Sequence, residues 1–200
     1  MTTRRFALAA LAALTLAGCQ KAGPEKLAFK GIDLTGAEYA RTLNLSDQEG
    51  RARSLADFKG KVLVVFFGYT QCPDVCPTTM AEVAEVKRSL GADGDKVQGI
   101  FVTVDPERDT ATLLKAYLES FDPSFVALRG SVEQTQAAAK EFKVFFAKVP
   151  GKTEDSYTMD HTAASFIFDT EGRVRVYARY GAGAEGMAHD IKLLLAEGSK

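Results

Sequence analysis

An α/β fold with a mixed sheet is predicted by three observations. Residues 61–67 carry Val-Leu-Val-Val-Phe-Phe after Lys61, the continuous apolar run expected of a strand buried on both faces. Between residues 61 and 142, apolar runs of strand length alternate with stretches of helical period, the order of βαβ units in one sheet. Near the end, Asp169-Thr170-Glu171-Gly172 separates two β-rich runs and reads as an antiparallel hairpin turn.

Taken in order, the chain opens with a leader. Arg4 and Arg5 form a positive n-region, and residues 6–16 are apolar but too short to span a bilayer comfortably, so residues 1–18 read as a signal peptide. Leu16-Ala17-Gly18-Cys19 resembles a bacterial lipobox. It predicts cleavage before Cys19, lipidation of that thiol, and a protein anchored to the membrane in the cell envelope, facing the extracytoplasmic (periplasmic) side. An ordinary signal peptide is the alternative. Residues 19–37 read as lipidated N-terminus and tether, and residues 38–200 as one domain with length enough for a sizeable core. Loss of Arg4 and Arg5 with the leader moves the formal charge from -1 to -3. No basic patch or groove-reading motif suggests nucleic acid as a partner.

Within the domain, residues 43–45 and 52–55 flank Asp47-Gln48-Glu49-Gly50, an expected hairpin with glycine at its turn. The central strand follows. After Pro77, the apolar face of Met80, Val83, Ala84, Val86 and Leu90 predicts a helix that Gly91 ends. Further strands are expected over 97–104 and 125–128, helices over 110–121 and 131–142, hairpin strands over 165–168 and 174–180, and a last helix over 184–195. An N-terminal β-hairpin extension, βαβ units, then a hairpin and helix is the order of a thioredoxin-like fold with an insertion.

With Cys19 assigned to the anchor, the remaining thiols are Cys72 and Cys76 in Cys72-Pro73-Asp74-Val75-Cys76-Pro77. Each proline biases the cysteine before it away from helical geometry, and Pro77 suits the first helical position. Cys76 is therefore the expected N-cap, with a thiolate facing free N–H groups that lower its pKa. An inert disulfide is the plain alternative, although structural bridges usually close longer loops. His161, in Asp160-His161-Thr162, falls just before the strand at 165–168. In thioredoxin-like domains that loop lies against the thiols and usually presents a cis-proline, whereas no proline follows Pro150 here. A ligand in that place turns the expectation from disulfide exchange toward metal. Two thiolates and a neutral imidazole suit copper, above all Cu(I), with Cu(II) also open.

Around the site, Asp160 is a candidate for orienting the histidine from behind and Asp105 for shaping the strand end; each reads equally as a loop residue. His189 is expected on the surface, and Met80, Met159 and Met187 in packing. Between Lys61 and Lys87 there is no lysine or arginine, so the nearby chain offers no positive side chain to a thiolate. Outside the cytoplasm a thiol pair oxidises unless kept reduced. Copper loading therefore implies a thiol reductant or a copper donor as a partner.

Gly68-Tyr69-Thr70-Gln71-Cys72-Pro73-Asp74-Val75-Cys76-Pro77, Val104-Asp105-Pro106-Glu107-Arg108-Asp109-Thr110 and Asp160-His161-Thr162 resemble, in order, the motifs of the Sco/SenC family, copper chaperones that help assemble cytochrome c oxidase. The resemblance runs from about residue 38 to the end. It implies copper held by Cys72, Cys76 and His161, and an oxidase subunit carrying a dithiol copper site as partner. It departs in the anchor, a lipobox where many relatives carry a transmembrane helix. The family also includes proposed thiol-disulfide reductases, in which the same cysteines, here Cys72 and Cys76, form a redox-active disulfide. Whether the chain is a non-enzymatic carrier or such a reductase stays open. A peroxiredoxin-type peroxidase requires threonine three residues before its cysteine and a nearby arginine; Tyr69 and Pro73 stand there instead.

Overall fold

The computed structural model describes residues 27–153 and 156–199. The expected signal peptide, the expected lipobox with Cys19 and the first part of the expected tether lie outside the described residues. In chain order the elements are β1 (Ile32–Asp33), β2 (Leu45–Asp47), β3 (Ala52–Arg53), β4 (Val62–Gly68), α1 (Val75–Ser89), β5 (Val97–Thr103), α2 (Ala111–Glu119), β6 (Val126–Arg129), α3 (Val132–Glu141), β7 (Phe146–Pro150), β8 (Tyr157–His161), β9 (Ala164–Phe168), β10 (Val174–Arg179) and α4 (Gly183–Gly198). Eight strands form one sheet in the order β1-β10-β9-β4-β5-β6-β2-β3, while β7 and β8 pair with each other.

The apolar run at 62–68 is the central strand. All seven of its residues are buried, because β5 flanks it in parallel and β9 antiparallel while both faces are covered. On one face Phe66 meets Phe101, which meets Tyr117 of α2, and α1 packs against α4. On the other, Phe142 at the end of α3 touches Phe67, Phe166 and Phe168. The mixed α/β sheet matches the expected thioredoxin-like order. Gly91 ends α1 as expected, at φ +57, a left-handed backbone that glycine adopts without strain.

Two departures bear on function. The fold begins before residue 38: Leu27 and Phe29 pack on the core, and Ile32 and Asp33 pair with Tyr177 and Val176 of β10. The Asp190 carboxylate in α4 accepts the Lys30 and Gly31 N–H groups at 2.7 and 2.8 Å, so residues 30–33 belong to the domain, not to a tether. The stretch before the last hairpin is not a plain loop but the two-stranded β7–β8 ribbon, with His161 as its final residue. Among the described residues, no helix is long and apolar enough to cross a membrane.

Candidate metal centre

The site forms where β4 ends and α1 begins. The residue capping α1 is Asp74, and Cys76 is the second residue of the helix, which corrects the expected N-cap. Pro77 still lies in the first turn, where a missing N–H costs nothing. The sulfur that meets the helix start is that of Cys72, whose Sγ accepts the Cys76 N–H at 3.4 Å.

Cys76 is 0 % exposed, and burial pushes its thiol well up, opposed by the Tyr69 N–H. The expected lowering is therefore reversed: desolvation outweighs the helix start. A buried thiol of this kind ionises readily only when a cation shares its pocket, which fits a metal ligand. Gly68 makes the room, since a Cβ there would lie 2.8 Å from Cys76 Sγ and 2.8 Å from the Phe66 ring.

His161 Nε2 lies 3.4 Å from Cys76 Sγ, and Nδ1 lies 3.2 Å from the Thr162 carbonyl. A carbonyl only accepts, so in the neutral ring Nδ1 carries the proton and Nε2 keeps its lone pair toward the thiols. The edges of Phe66 and Tyr69 fix the ring at 5.8 and 5.9 Å between centroids. Burial lowers the His161 pKa, against the Thr162 carbonyl and the Asp160 charge, which raise it. The imidazole is thus kept neutral, as a ligand must be.

The ligand atoms of Cys72, Cys76 and His161 all lie within 4.8 Å of one another, and neither thiol is in a disulfide. Two sulfurs and one nitrogen at this spacing fit a soft cation. A cavity of about 1000 Å³ lies away from the thiols, against Leu27, Tyr39 and Arg175.

The surrounding residues divide unevenly. Asp160 is exposed and reaches His161 by charge, while the imidazole Nδ1 is met by the Thr162 carbonyl. Asp105, 1 % exposed, accepts Tyr157 Oη–H at 2.9 Å and Arg108 Nε–H, tying the loop after β5 to the start of β8. Met159 is buried and His189 pairs with Asp190. Two residues were absent from the expected site. Asp109, 0 % exposed, accepts the Thr70 N–H at 3.2 Å and the Thr70 and Thr103 hydroxyls at 2.6 Å each, fixing the turn before Cys72. Arg108 brings to Gln71 the positive charge that the local chain lacks. Their only signal was the second motif, because the contacts span nearly forty residues.

Fold and side-chain placement together define a thioredoxin-like domain with a candidate Cys₂His site for a soft metal. The SCO1/SenC family model matches residues 33–196, and the chain belongs to that family. It is 34 % identical over 155 residues to the mitochondrial SCO2 homolog of Mus musculus, covering 76 % of this chain and 61 % of that one. The chain spans about three fifths of the length of the curated relatives it matches. Among solved structures, copper-bound ScoI of Bradyrhizobium japonicum is 44 % identical with a TM-score of 0.70, covering 77 % of this chain and 98 % of that one. Apo Sco1 of Thermus thermophilus is 35 % identical with a TM-score of 0.75, covering 86 % and 100 %.

Proposed function

We propose that this chain is an exported, lipid-anchored copper carrier that holds Cu(I) with Cys72, Cys76 and His161 and delivers it to, or prepares the thiols of, the copper centre of a cytochrome c oxidase. The observation that carries the reading is the convergence of two sulfurs and an unprotonated Nε2 within 4.8 Å. Family membership and the copper bound by the Bradyrhizobium relative support the choice of metal. Anchoring through Cys19, on the extracytoplasmic side of the membrane, rests on the lipobox alone.

In this reading the metal displaces the Cys76 proton, which burial otherwise retains, so loading releases protons and weakens in acid. Transfer proceeds by ligand exchange: a partner dithiol replaces the three ligands in turn, and Cys72, the less buried sulfur, is the first the partner can reach. That same asymmetry favours a second reading as a thiol-disulfide reductase. The Cys72 thiolate would attack a partner disulfide and form a mixed disulfide. Cys76 would then attack Cys72, releasing the partner dithiol and leaving Cys72–Cys76 oxidised. Only the carrier requires His161.

The deciding measurement is a Cu(I) competition titration of the reduced full chain in detergent against a calibrated chelator. The carrier reading expects one tight equivalent, weakened at least about 100-fold, roughly 2.7 kcal/mol, in both Cys72→Ser and His161→Ala. Weak binding that His161→Ala leaves unchanged would assign the thiols to disulfide chemistry.

A further inference from the structure

The ligands come from two parts of the chain, the turn between β4 and α1 and the far end of the β7–β8 ribbon, and that ribbon has no ladder to the main sheet among the described residues. Sheet pairing fixes the chain after it, through β9 against β4 and the Tyr180 N–H bonded to the Ala163 carbonyl, but the ribbon that carries His161 needs other contacts. The Tyr69 ring packs directly on His161, and one side chain from outside both parts, Arg108, bridges them. Arg108 Nη1 donates to Gln71 Oε1, beside Cys72, at 3.1 Å and to the Tyr157 carbonyl, at the start of β8, at 2.8 Å. Its guanidinium lies 3.6 Å from the centroid of the Tyr157 ring and 5.8 Å from that of Tyr69, while its Nε is held by buried Asp105. Lys148 Nζ lies 4.6 Å from the Tyr157 ring centroid and pairs with Glu107.

Tyr157 and His161 are four apart on one strand, so they line the same face, about 13 Å apart along it. A clasp on Tyr157 therefore sets where His161 stands. Arg108 Nη2 is buried and makes no hydrogen bond to the described residues. We propose that Arg108 is the positioning residue of the metal centre, coupling the cysteine turn to the His161 ribbon so that the three ligands act as one set. The proposal rests on the three-ligand reading above.

Lysine cannot replace it, because a single ammonium lacks the planar fork that serves Gln71, Tyr157 and Asp105 together and stacks on a ring. The test uses the full chain in detergent with Arg108→Gln, Arg108→Lys, His161→Ala and the double variant Arg108→Gln/His161→Ala, read by Cu(I) competition. Hydrogen exchange at the Met159–His161 amides is measured on the metal-free protein. Both Arg108 variants are expected to lose Cu(I) affinity by about tenfold or more and to exchange faster at those amides. In the His161→Ala background Arg108→Gln should cost nothing further, since its effect passes through the histidine. A purely structural role would give the same loss in both backgrounds and would overturn the proposal. Wild-type affinity in Arg108→Lys would also overturn it, and that variant keeps the test valid if Arg108→Gln does not fold. Wild-type affinity in His161→Ala alone would remove the three-ligand reading, and the proposal with it.

Discussion

Cys72 and Cys76, four residues apart, differ chemically because one sulfur faces the rim and the other faces Gly68 and His161. Cys76 is fully buried with its thiol pushed up by desolvation, whereas Cys72 is only partly buried. In the metal-free, reduced protein at neutral pH, iodoacetamide should therefore modify Cys76→Ser, which retains Cys72, several-fold faster than Cys72→Ser, which retains Cys76. Intact-mass time courses measure the two rates, and equal rates would contradict the burial argument. The candidate ligands were legible in the sequence because thiols and imidazoles are rare in this chain, with three cysteines and two histidines. The environment of Cys76 was not. The expectation of a helix-cap thiolate weighed the local backbone and could not include the desolvation supplied by residues packed from elsewhere.

At the scale of elements, the ends of the domain rest on a few polar contacts. The 1 % exposed Asp190 accepts two backbone N–H groups from residues 30 and 31 and so fastens β1 beside β10. Gly31 permits the approach, since a Cβ there would lie 2.4 Å from the Val176 side chain. Asp190→Ala leaves both N–H groups without their acceptor and should destabilise the fold by about 1–3 kcal/mol, read by urea denaturation, with Cu(I) affinity unchanged. A parallel loss of copper binding would mean that the two ends of the molecule are coupled. Two of the strands missed in the sequence, β1 and β7, lack an apolar pattern. β1 is two exposed residues, and β7 is partly buried at two positions and exposed at three, so neither carries the alternation that betrays a strand. The buried strands β4, β5 and β9 were legible for the opposite reason.

For the whole molecule, the ionisable groups set the pH range of the metal-free fold. His161 has a folded pKa below its ordinary 6.5 because burial disfavours the imidazolium. The unfolded chain therefore takes up this proton first as pH falls. The stability linked to neutral His161 is present above pH 6.5, is lost progressively below it, and levels off beneath the folded pKa. Denaturation midpoints of the wild type should fall more steeply just below pH 6.5 than those of His161→Ala, and parallel curves would show that the ring protonates in place. A second loss belongs to Asp47. Burial works to raise its pKa, but the Arg51 N–H, the side chains of Arg53 and Arg51 and the Glu49 N–H hold it down to about 2. Its contribution is present above pH 3.8 and disappears toward pH 2, and Asp47→Asn should remove that step.

The fold class was legible in apolar runs of strand length alternating with helical ones, and the candidate ligands in two thiols and one imidazole set in family motifs. Periodicity and residue type are local properties, and local properties survive in a string. The tertiary structure decided which sulfur is buried, which carbonyl fixes the histidine tautomer, and that Arg108 and Asp109 reach the cysteine turn across nearly forty residues. Desolvation and long-range hydrogen bonds arise only when distant segments exclude water together.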